Sequence, residues 1–505
     1  MATTYKTPGV YVEEISKLPP SVAQVETAIP AFIGYTENDS YNGLSLVNKP
    51  KRIKSLNDFE QIFGFPKQTA FTNDAITPAN GIKIKKDTSG AFVMDGDLID
   101  PYGSLQYRLY YCLQMYFANG GGPCYIISCG KYKNDNTVSD VDMTASLSAL
   151  RKEDEPTMIV FTDAVALAKV NFYSLYSKAL TQAAELMDRV VIADLFLDTS
   201  TTQKMTDFKG GKMDMYYDVG GGTTLADDFR NGIGNNNLTY AASYYPWLVT
   251  TLGYYADESQ IPVSGGTDTL ASVTCLRKYP AAGQADVDHP EQSLYHTNSQ
   301  LYAIIKKQVD NFAVILPPAS TMAGVYAMVD STRGVWKAPA NVSLNYVLEP
   351  QVKIDENDQQ DMNVTGTGKS INAIRFFTGK GILVWGARTL AGNDNEWRYI
   401  SVRRFYNMVE ESVKKATEPF VFEPNDANTW SKVRAMIENF LILQWRDGAL
   451  MGSKPDDAFF VHVGLGETMT ALDILEGRMI VEIGMAVVRP AEFIILRFSH
   501  KMLVS

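Results

Sequence analysis

Residues 158–193 decide the fold: they contain the apolar run Met158-Ile159-Val160-Phe161, the segment Asn171 to Met187, and the apolar run Val190-Val191-Ile192-Ala193. Each apolar run has the length of a strand that is buried on both faces of a sheet. The segment between them has the apolar spacing of an amphipathic helix. A strand, a helix and a strand in this order predict a parallel crossover and therefore an α/β region in the middle of the chain.

The last third of the chain has the clearest pattern. It predicts a strand at Ile382 to Trp385, helices at Ser401 to Glu418 and Thr429 to Asp447, and strands near Ala458 to Val463, Arg478 to Val488 and Ala491 to Leu503. The predicted fold class is therefore α+β and multi-domain, with the α/β region inserted in the middle.

Length and composition exclude several classes of protein. The chain has 505 residues, so a prior of roughly 150 residues per domain predicts about three domains. Its net charge of -11 argues against nucleic-acid binding as the main role, since phosphate binding needs a basic face. Four Cys are too few for a disulfide framework. We expect no signal peptide and no membrane insertion, because the start lacks an apolar stretch and no window has about 20 apolar residues.

Two short runs have the outline of a reactive site. Gly366-Thr367-Gly368-Lys369-Ser370 ends like a phosphate-binding loop, but residue 363 is Asn where the motif needs Gly. Ala319 to Ala323 is similar to the sequence around a protease nucleophile, yet a triad also needs His and Asp. His289 and His296 lie in a polar stretch without a partner motif. The preferred interpretations are a solvated turn for Gly366 to Ser370 and a helix start for Ala319 to Ala323.

The remaining polar clusters do not indicate a metal or cofactor. Asp355, Glu356, Asp358 and Asp361 form a charge run, which is typical of a solvated loop. Gly220-Gly221-Gly222 lacks the strand and helix that a dinucleotide loop requires. No catalytic residue, metal ligand or cofactor is predicted, and the chain is predicted not to be an enzyme.

Both ends of the chain have strand-like patterns. Thr7-Pro8-Gly9 precedes the run from Val10 to Ile15, and Phe498 to Leu503 lies near the other end. A short strand is not stable alone, so each must pair within the chain or with another chain. Donation of a strand to a neighbouring sheet links subunits through main-chain hydrogen bonds.

The chain resembles the contractile tail sheath proteins over nearly its whole length. The matching runs, in chain order, are Thr7 to Glu14, Asp58-Phe59 with Phe63-Gly64, Asn119-Gly120-Gly121 before Cys124-Tyr125-Ile126, Arg333 to Asn341, Ile371-Asn372 with Ile374-Arg375, Gly381-Ile382, Val384 to Leu390, Trp397 to Ile400, Val402 to Arg404, and Pro490 to Ile494. Each run alone is a weak signal, and their shared order makes chance an unsatisfactory explanation.

The resemblance implies a mechanical function. Such subunits stack as hexameric rings around an inner tube, exchange terminal strands with their neighbours, and contract to drive the tube through a target envelope. The implied partners are other copies of the chain, the inner tube protein, and the baseplate and terminal cap proteins. The implied location is the bacterial cytoplasm during assembly, and then a phage-like or extracellular particle.

The resemblance also implies roles for particular residues. The intersubunit arms would include Val10, Tyr11, Val12, Glu13, Ile15, Phe498, His500, Met502 and Leu503. The tube-facing element would be Thr468 to Glu476, with Glu467, Asp473 and Glu476 meeting basic groups on the tube. The scaffold residues would be Trp336, Trp385, Arg388, Trp397 and Arg403. Accepting strands are expected around Phe459 to Val463 and Met479 to Val487.

The predicted organisation has five parts. They are an N-terminal strand arm at 1–24, a sheath part at 25–130 with an outer insertion near 69–100, an outer α/β domain at 131–347, a core domain at 348–494, and a C-terminal strand arm at 495–505. Two alternatives stay open: another self-assembling tail component, such as a terminator or baseplate protein, and a nucleotide-binding or hydrolytic enzyme.

Overall fold

The computed structural model describes residues 22–74, 78–278 and 290–496. Its strands are β1 Pro30–Thr36, β2 Ser40–Tyr41, β3 Leu44–Ser45, β4 Lys51–Ile53, β5 Ile82–Lys86, β6 Phe92–Met94, β7 Cys124–Lys131, β8 Met158–Phe161, β9 Val190–Ala193, β10 Asp218–Gly220, β11 Thr223–Thr224, β12 Ala241–Tyr245, β13 Leu248–Gly253, β14 Val263–Ser264, β15 Ala313–Leu316, β16 Val347–Pro350, β17 Asn372–Phe377, β18 Gly381–Trp385, β19 Phe459–His462 and β20 Glu482–Met485. Its α-helices are α1 Leu56–Phe63, α2 Leu109–Ala118, α3 Asp140–Leu150, α4 Lys169–Leu186, α5 Thr202–Lys209, α6 Leu225–Gly232, α7 Leu294–Thr297, α8 Ser299–Asn311, α9 Ala319–Arg333, α10 Glu356–Asn363, α11 Ile400–Thr417, α12 Ala427–Arg446, α13 Pro455–Ala458 and α14 Ala471–Leu475.

The chain divides into two compact units. The sheet unit is Glu26–Asn407 together with the segment that begins at Pro490, and the helical unit is Met408–Arg489 together with the segment that ends at Val25. The fold is mixed α/β. The structure divides the chain differently from the five predicted parts, because the boundaries expected at 130/131 and 347/348 both fall inside the sheet unit.

The sheet unit is built on an eight-stranded sheet with the order β18-β17-β12-β9-β8-β1-β7-β4. The pairs from β7 to β17 are parallel, and the edge strands β4 and β18 are antiparallel to their neighbours. The predicted crossover is confirmed, since β8 and β9 are parallel neighbours joined by α4. Every residue of β1 is buried, as expected of a strand covered on both faces.

Alternate side chains of the central strands point into two cores on opposite faces of this sheet. Ile33 and Ile159 pack with α4 residues such as Tyr176, whereas Phe32 and Val160 belong to the other core, which contains residues of α2 and α9. Gly34 in β1 lies beside Thr162, the first residue after the neighbouring strand β8. A Cβ atom at Gly34 would lie 2.3 Å from Thr162 Oγ1, so this position requires glycine.

A smaller sheet, β14-β5-β6, incorporates the predicted outer insertion near 69–100. Ile82 and Ile84 of its hairpin are buried in a third core, together with residues of α8. The hairpin is therefore part of the packed sheet unit. The stretch from Thr199 to Asn237 is rich in Gly, Asp and Asn, yet it contains the helices α5 and α6.

The helical unit packs α12 against the two-stranded sheet β19-β20. Asp426 caps α12 by accepting the N–H groups of Asn428 and Thr429. Val433, Ile437 and Leu441 are fully buried on one stripe of this helix, as its apolar spacing predicts. Both long C-terminal helices, α11 and α12, lie within two residues of their predicted bounds at each end.

Candidate functional site

The run from Gly366 to Ser370 does not have the structure of a phosphate-binding loop. It follows the polar helix α10, where that motif needs a buried strand. The Lys369 side chain is buried, and its Nζ donates to the main-chain carbonyl of Arg230. Burial, and then the nearby Arg230 cation, lower the pKa of Lys369. The Lys369 ammonium group is therefore bonded to the main chain inside the fold and does not point to a ligand in solvent.

The run from Ala319 is the start of α9, as predicted. Ser320 is 2% exposed, and the Ala319 N–H donates to the buried Asp194 carboxylate over 2.9 Å. Burial raises the pKa of Asp194 to about 8. A hydroxyl enclosed in this way has no access to a substrate. Within residues 22–74, 78–278 and 290–496, no group of His, Cys, Asp and Glu could hold a metal ion, and no helix is both long and apolar enough for a membrane span.

The predicted accepting strands form a sheet of two strands. β19 and β20 are antiparallel, and Phe459 pairs with Met485 while His462 pairs with Glu482. In the described part of the chain, no third strand joins this sheet. Two-stranded sheets are marginal in water, so this one depends on its packing against α12 or on further strands.

The three acidic residues that the sequence assigns to the tube-facing element are each bonded within the helical unit. Glu467 forms an ion pair of 2.6 Å with Arg434 and a hydrogen bond of 2.6 Å with Nδ1 of His462. Asp473 accepts the Thr470 N–H and hydroxyl in a capping box and lies 3.1 Å from Arg478. Hydrogen bonds from His462 and from Thr470 lower the pKa of Glu467 and of Asp473, respectively.

Glu476 is also paired, because its carboxylate accepts from the Arg478 guanidinium. Exposed apolar side chains lie on and next to the same element. Leu475 is 83% exposed and Leu472 is 58% exposed, both on α14, and Leu465 nearby in the sequence is 57% exposed. The element is thus an apolar surface framed by carboxylates that have local partners.

Over residues 490–496, the segment that begins at Pro490 is bonded to the sheet unit through the side chain of Glu492. Glu492 accepts from Nε and Nη2 of Arg388, and its two oxygens lie 3.0 and 3.1 Å from Nε. Arg388 is 3% exposed and Glu492 17%. Tyr399 lies beside this pair; its pKa is raised mainly by burial and then by the Glu492 charge.

The residues after Glu492 are apolar and exposed. Phe493, Ile494, Ile495 and Leu496 are between 70% and 80% exposed. The predicted strand from Ala491 is not formed over residues 491–496, and the sequence prediction is wrong there because periodicity cannot show whether a pairing partner is present. The arm residues Val10, Tyr11, Val12, Glu13, Ile15, Phe498, His500, Met502 and Leu503 lie outside the described residues.

The other predicted scaffold residues lie in the sheet unit. The Trp336 ring packs edge-on against Phe405 at 6.4 Å. Trp385, at the end of β18, is 37% exposed and lies against Phe377. The Arg403 guanidinium is buried and lies 4.1 Å from the Trp397 ring centroid.

Sequence reasoning missed two features of this region. Arg388 and Glu492 are 104 positions apart in the sequence, and no local sequence pattern predicts a contact between residues so far apart. The exposure of Leu472 and Leu475 was also missed. A signal for it exists, since the Thr470–Asp473 capping box starts a helix too short to bury both leucines.

Comparison with known proteins agrees with this architecture. Residues 392–501 match the phage tail sheath C-terminal domain. The tail sheath protein of Enterobacteria phage T4 is 26% identical over 150 residues, which are 28% of this chain and 23% of that protein. The tail sheath protein of Vibrio phage KVP40 is 27% identical over 172 residues, 32% of this chain and 24% of that protein. The matches thus span about a quarter of these relatives.

Solved structures match the chain over its whole length. The sheath complex of an extracellular contractile injection system, PVC, in the contracted state is 28% identical, with a TM-score of 0.58 and 99% of each chain covered. The contracted helical sheath of the anti-feeding prophage is 28% identical, with a TM-score of 0.60 and coverage of 99% of this chain and 100% of that one.

The last third of this mixed α/β chain carries the sheath domain, and the full length of the chain is similar to solved sheath structures. The chain is therefore a structural protein rather than an enzyme. Its C-terminal region matches the phage tail sheath C-terminal domain, and the whole chain is similar to the contractile sheaths of extracellular injection systems.

Proposed function

We propose that the chain is the repeating subunit of a contractile sheath. The subunits assemble as stacked hexameric rings around an inner tube, exchange terminal β-strands, and contract to drive the tube through a target envelope. Other copies of the chain, the tube protein, and baseplate and cap proteins are its partners. Assembly takes place in the bacterial cytoplasm, and the product is a phage-like or extracellular particle.

The observation that carries this proposal is the two-stranded sheet β19-β20 in a chain whose ends are strand-like. Such a sheet gains most from added strands, because each new strand supplies main-chain hydrogen bonds and covers apolar side chains. Phe460 of β19 is 44% exposed, so the sheet has apolar surface to cover. Val10 to Ile15 and Phe498 to Leu503 supply β-branched, aromatic and other apolar residues. Strands from neighbouring copies would complete the sheet and link the subunits.

The exposed run Phe493 to Leu496 supports the same assignment for the C-terminal end. Four consecutive apolar residues that are 70–80% exposed are a liability in a free monomer. Docking on a neighbouring copy removes that surface from water. An exposed run that becomes covered in the polymer also explains why periodicity predicts a strand in a place where the single chain has none.

The tube contact is proposed at α14 and the turn that follows it. Leu472 and Leu475 supply the apolar contact. The three carboxylates of Glu467, Asp473 and Glu476 outnumber the two guanidiniums that pair with them, those of Arg434 and Arg478, and this net negative rim suits a basic tube surface. Affinity would come chiefly from the leucines, whereas the rim would select the partner and its orientation.

Strand exchange is tested by two substitutions at one arm residue. Val12→Pro removes a main-chain donor and cannot continue a ladder, whereas Val12→Thr keeps a β-branched side chain. We expect the proline variant to stay a folded monomer and the threonine variant to form tubes in electron micrographs. Normal tubes from Val12→Pro, or from a chain without residues 1–18, would overturn the exchange of this arm.

A further inference from the structure

The C-terminal segment changes character abruptly at Glu492. This residue is mostly buried against Arg388, and the four residues after it are almost fully exposed. Within the described residues 490–496, Glu492 is also the only residue that makes a hydrogen bond or an ion pair. From this we infer that the Arg388–Glu492 pair is the anchor from which the C-terminal arm reaches a second copy of the chain. The inference rests on the proposed function.

The chemistry of the pair suits an anchor. Nε and Nη2 of Arg388 converge on one carboxylate, and a forked, charge-assisted contact fixes direction as well as distance. Arg388 is 3% exposed, so water competes poorly for its donors and salt screens the pair little. Loss of the carboxylate charge removes the contact that holds the segment, while Nη1 of Arg388 keeps its hydrogen bond to the Asn363 carbonyl over 3.1 Å.

Arg388 is itself fixed to the main sheet. Its N–H donates to Asn372 Oδ1 over 2.7 Å, and the Asn372 amide donates to the carbonyls of Arg388 and of Ser243 over 2.8 and 3.0 Å. Asn372 begins β17, and Ser243 lies in the neighbouring strand β12. Tension on the arm is thereby transmitted from Glu492 through Arg388 to two strands of the eight-stranded sheet.

The position of the anchor determines the reach of the arm. Before Glu492, the nearest residue in the chain with a main-chain hydrogen bond is Val488, whose N–H donates to the Ala449 carbonyl within the helical unit. If Glu492 is released, the tether starts four residues earlier and gains up to about 14 Å of extended chain. A longer tether lowers the effective concentration of the arm at its docking site, so exchange weakens although the docked strand itself is unchanged.

Glu492→Gln tests the anchor, because it keeps the shape of the side chain but removes the charge. Arg388→Lys keeps the charge but loses the fork, and Glu349→Gln, on the exposed edge strand β16, is the control for loss of one surface carboxylate. Limited proteolysis of the unassembled chain with chymotrypsin, which cleaves after aromatic residues such as Phe493, reports the attachment of residues 490–496. The rate of subunit release from diluted tubes reports the strength of exchange.

We expect Glu492→Gln to keep its melting temperature within a few degrees, to be cleaved faster at Phe493, and to release subunits about twofold faster or more. Arg388→Lys should give an intermediate rate, and Glu349→Gln should behave like the unchanged chain. An unchanged rate of cleavage in Glu492→Gln, or a release rate equal to that of the control, would overturn the anchor. If the unchanged chain forms no tubes, the proposed function fails, and the cleavage measurement still decides the anchor.

Discussion

Replacing Leu472 and Leu475 with serine isolates the proposed tube contact. Both side chains are exposed, so serine leaves the folded state nearly as stable, within about 0.5 kcal/mol for such surface sites. Full burial of a leucine contributes about 2 kcal/mol. With exposed fractions of 83% and 58%, the pair can contribute at most about 3 kcal/mol per subunit on docking. That loss corresponds to about a hundredfold weaker binding.

The assay is co-sedimentation of the chain with preassembled inner tubes over a range of concentrations. Val170→Ser is the matched control, because Val170 is 79% exposed on α4 in the sheet unit. Glu476→Gln should weaken binding much less than the double serine variant, since Glu476 already pairs with Arg478. Equal affinity of the double serine variant and the unchanged chain would refute the apolar contact, and an equal loss in Val170→Ser would show that the effect is not local.

Three further predictions concern the sheet unit. Asp194→Asn should remove one pH dependence of the free energy of unfolding. Burial raises the pKa of Asp194 to about 8, from about 3.9 in the unfolded chain. The stabilisation from the protonated Asp194 carboxyl is therefore complete below pH 4 and is lost as pH rises through 8. The variant's melting temperature should therefore fall less than that of the unchanged chain between pH 5 and 9, and an equal fall would contradict this. Gly34→Ala should lower the free energy of unfolding by about 1–3 kcal/mol in urea titrations, because its Cβ would clash with Thr162; an unchanged midpoint would contradict the packing. ATP should leave the melting temperature of both the unchanged chain and Lys369→Gln unshifted, because the Lys369 ammonium is bonded inside the fold; a shift that Lys369→Gln abolishes would revive a nucleotide site.

The elements that the sequence predicts well are those whose signal is local. β8, α4 and β9 are recognisable because two short apolar runs flank one amphipathic segment, and β8 and β9 have the predicted bounds. The helices α11 and α12 follow their apolar stripes closely for the same reason. The resemblance to sheath proteins rests on runs spread along the chain, so it survives low identity.

The division into units depends on long-range pairing, which periodicity does not encode. β1 lies between β7 and β8 in the sheet, although both follow it in the chain. β17 pairs with β12, although more than 120 residues separate these two strands in the sequence. Parts that look separate in the sequence therefore share one sheet. The candidate site shows the same limit. The acidic residues of the α14 region were recognised by type, but their partners Arg434, His462 and Arg478 depend on the folded geometry.

Electron microscopy of the purified chain, alone and after co-expression with the inner tube protein, shows whether the chain polymerises as a sheath. We expect hollow helical tubes in at least one of these two preparations, with strands from neighbouring copies added to the β19-β20 sheet. A uniform monomer in both preparations, with the β19-β20 sheet left at two strands, would contradict it.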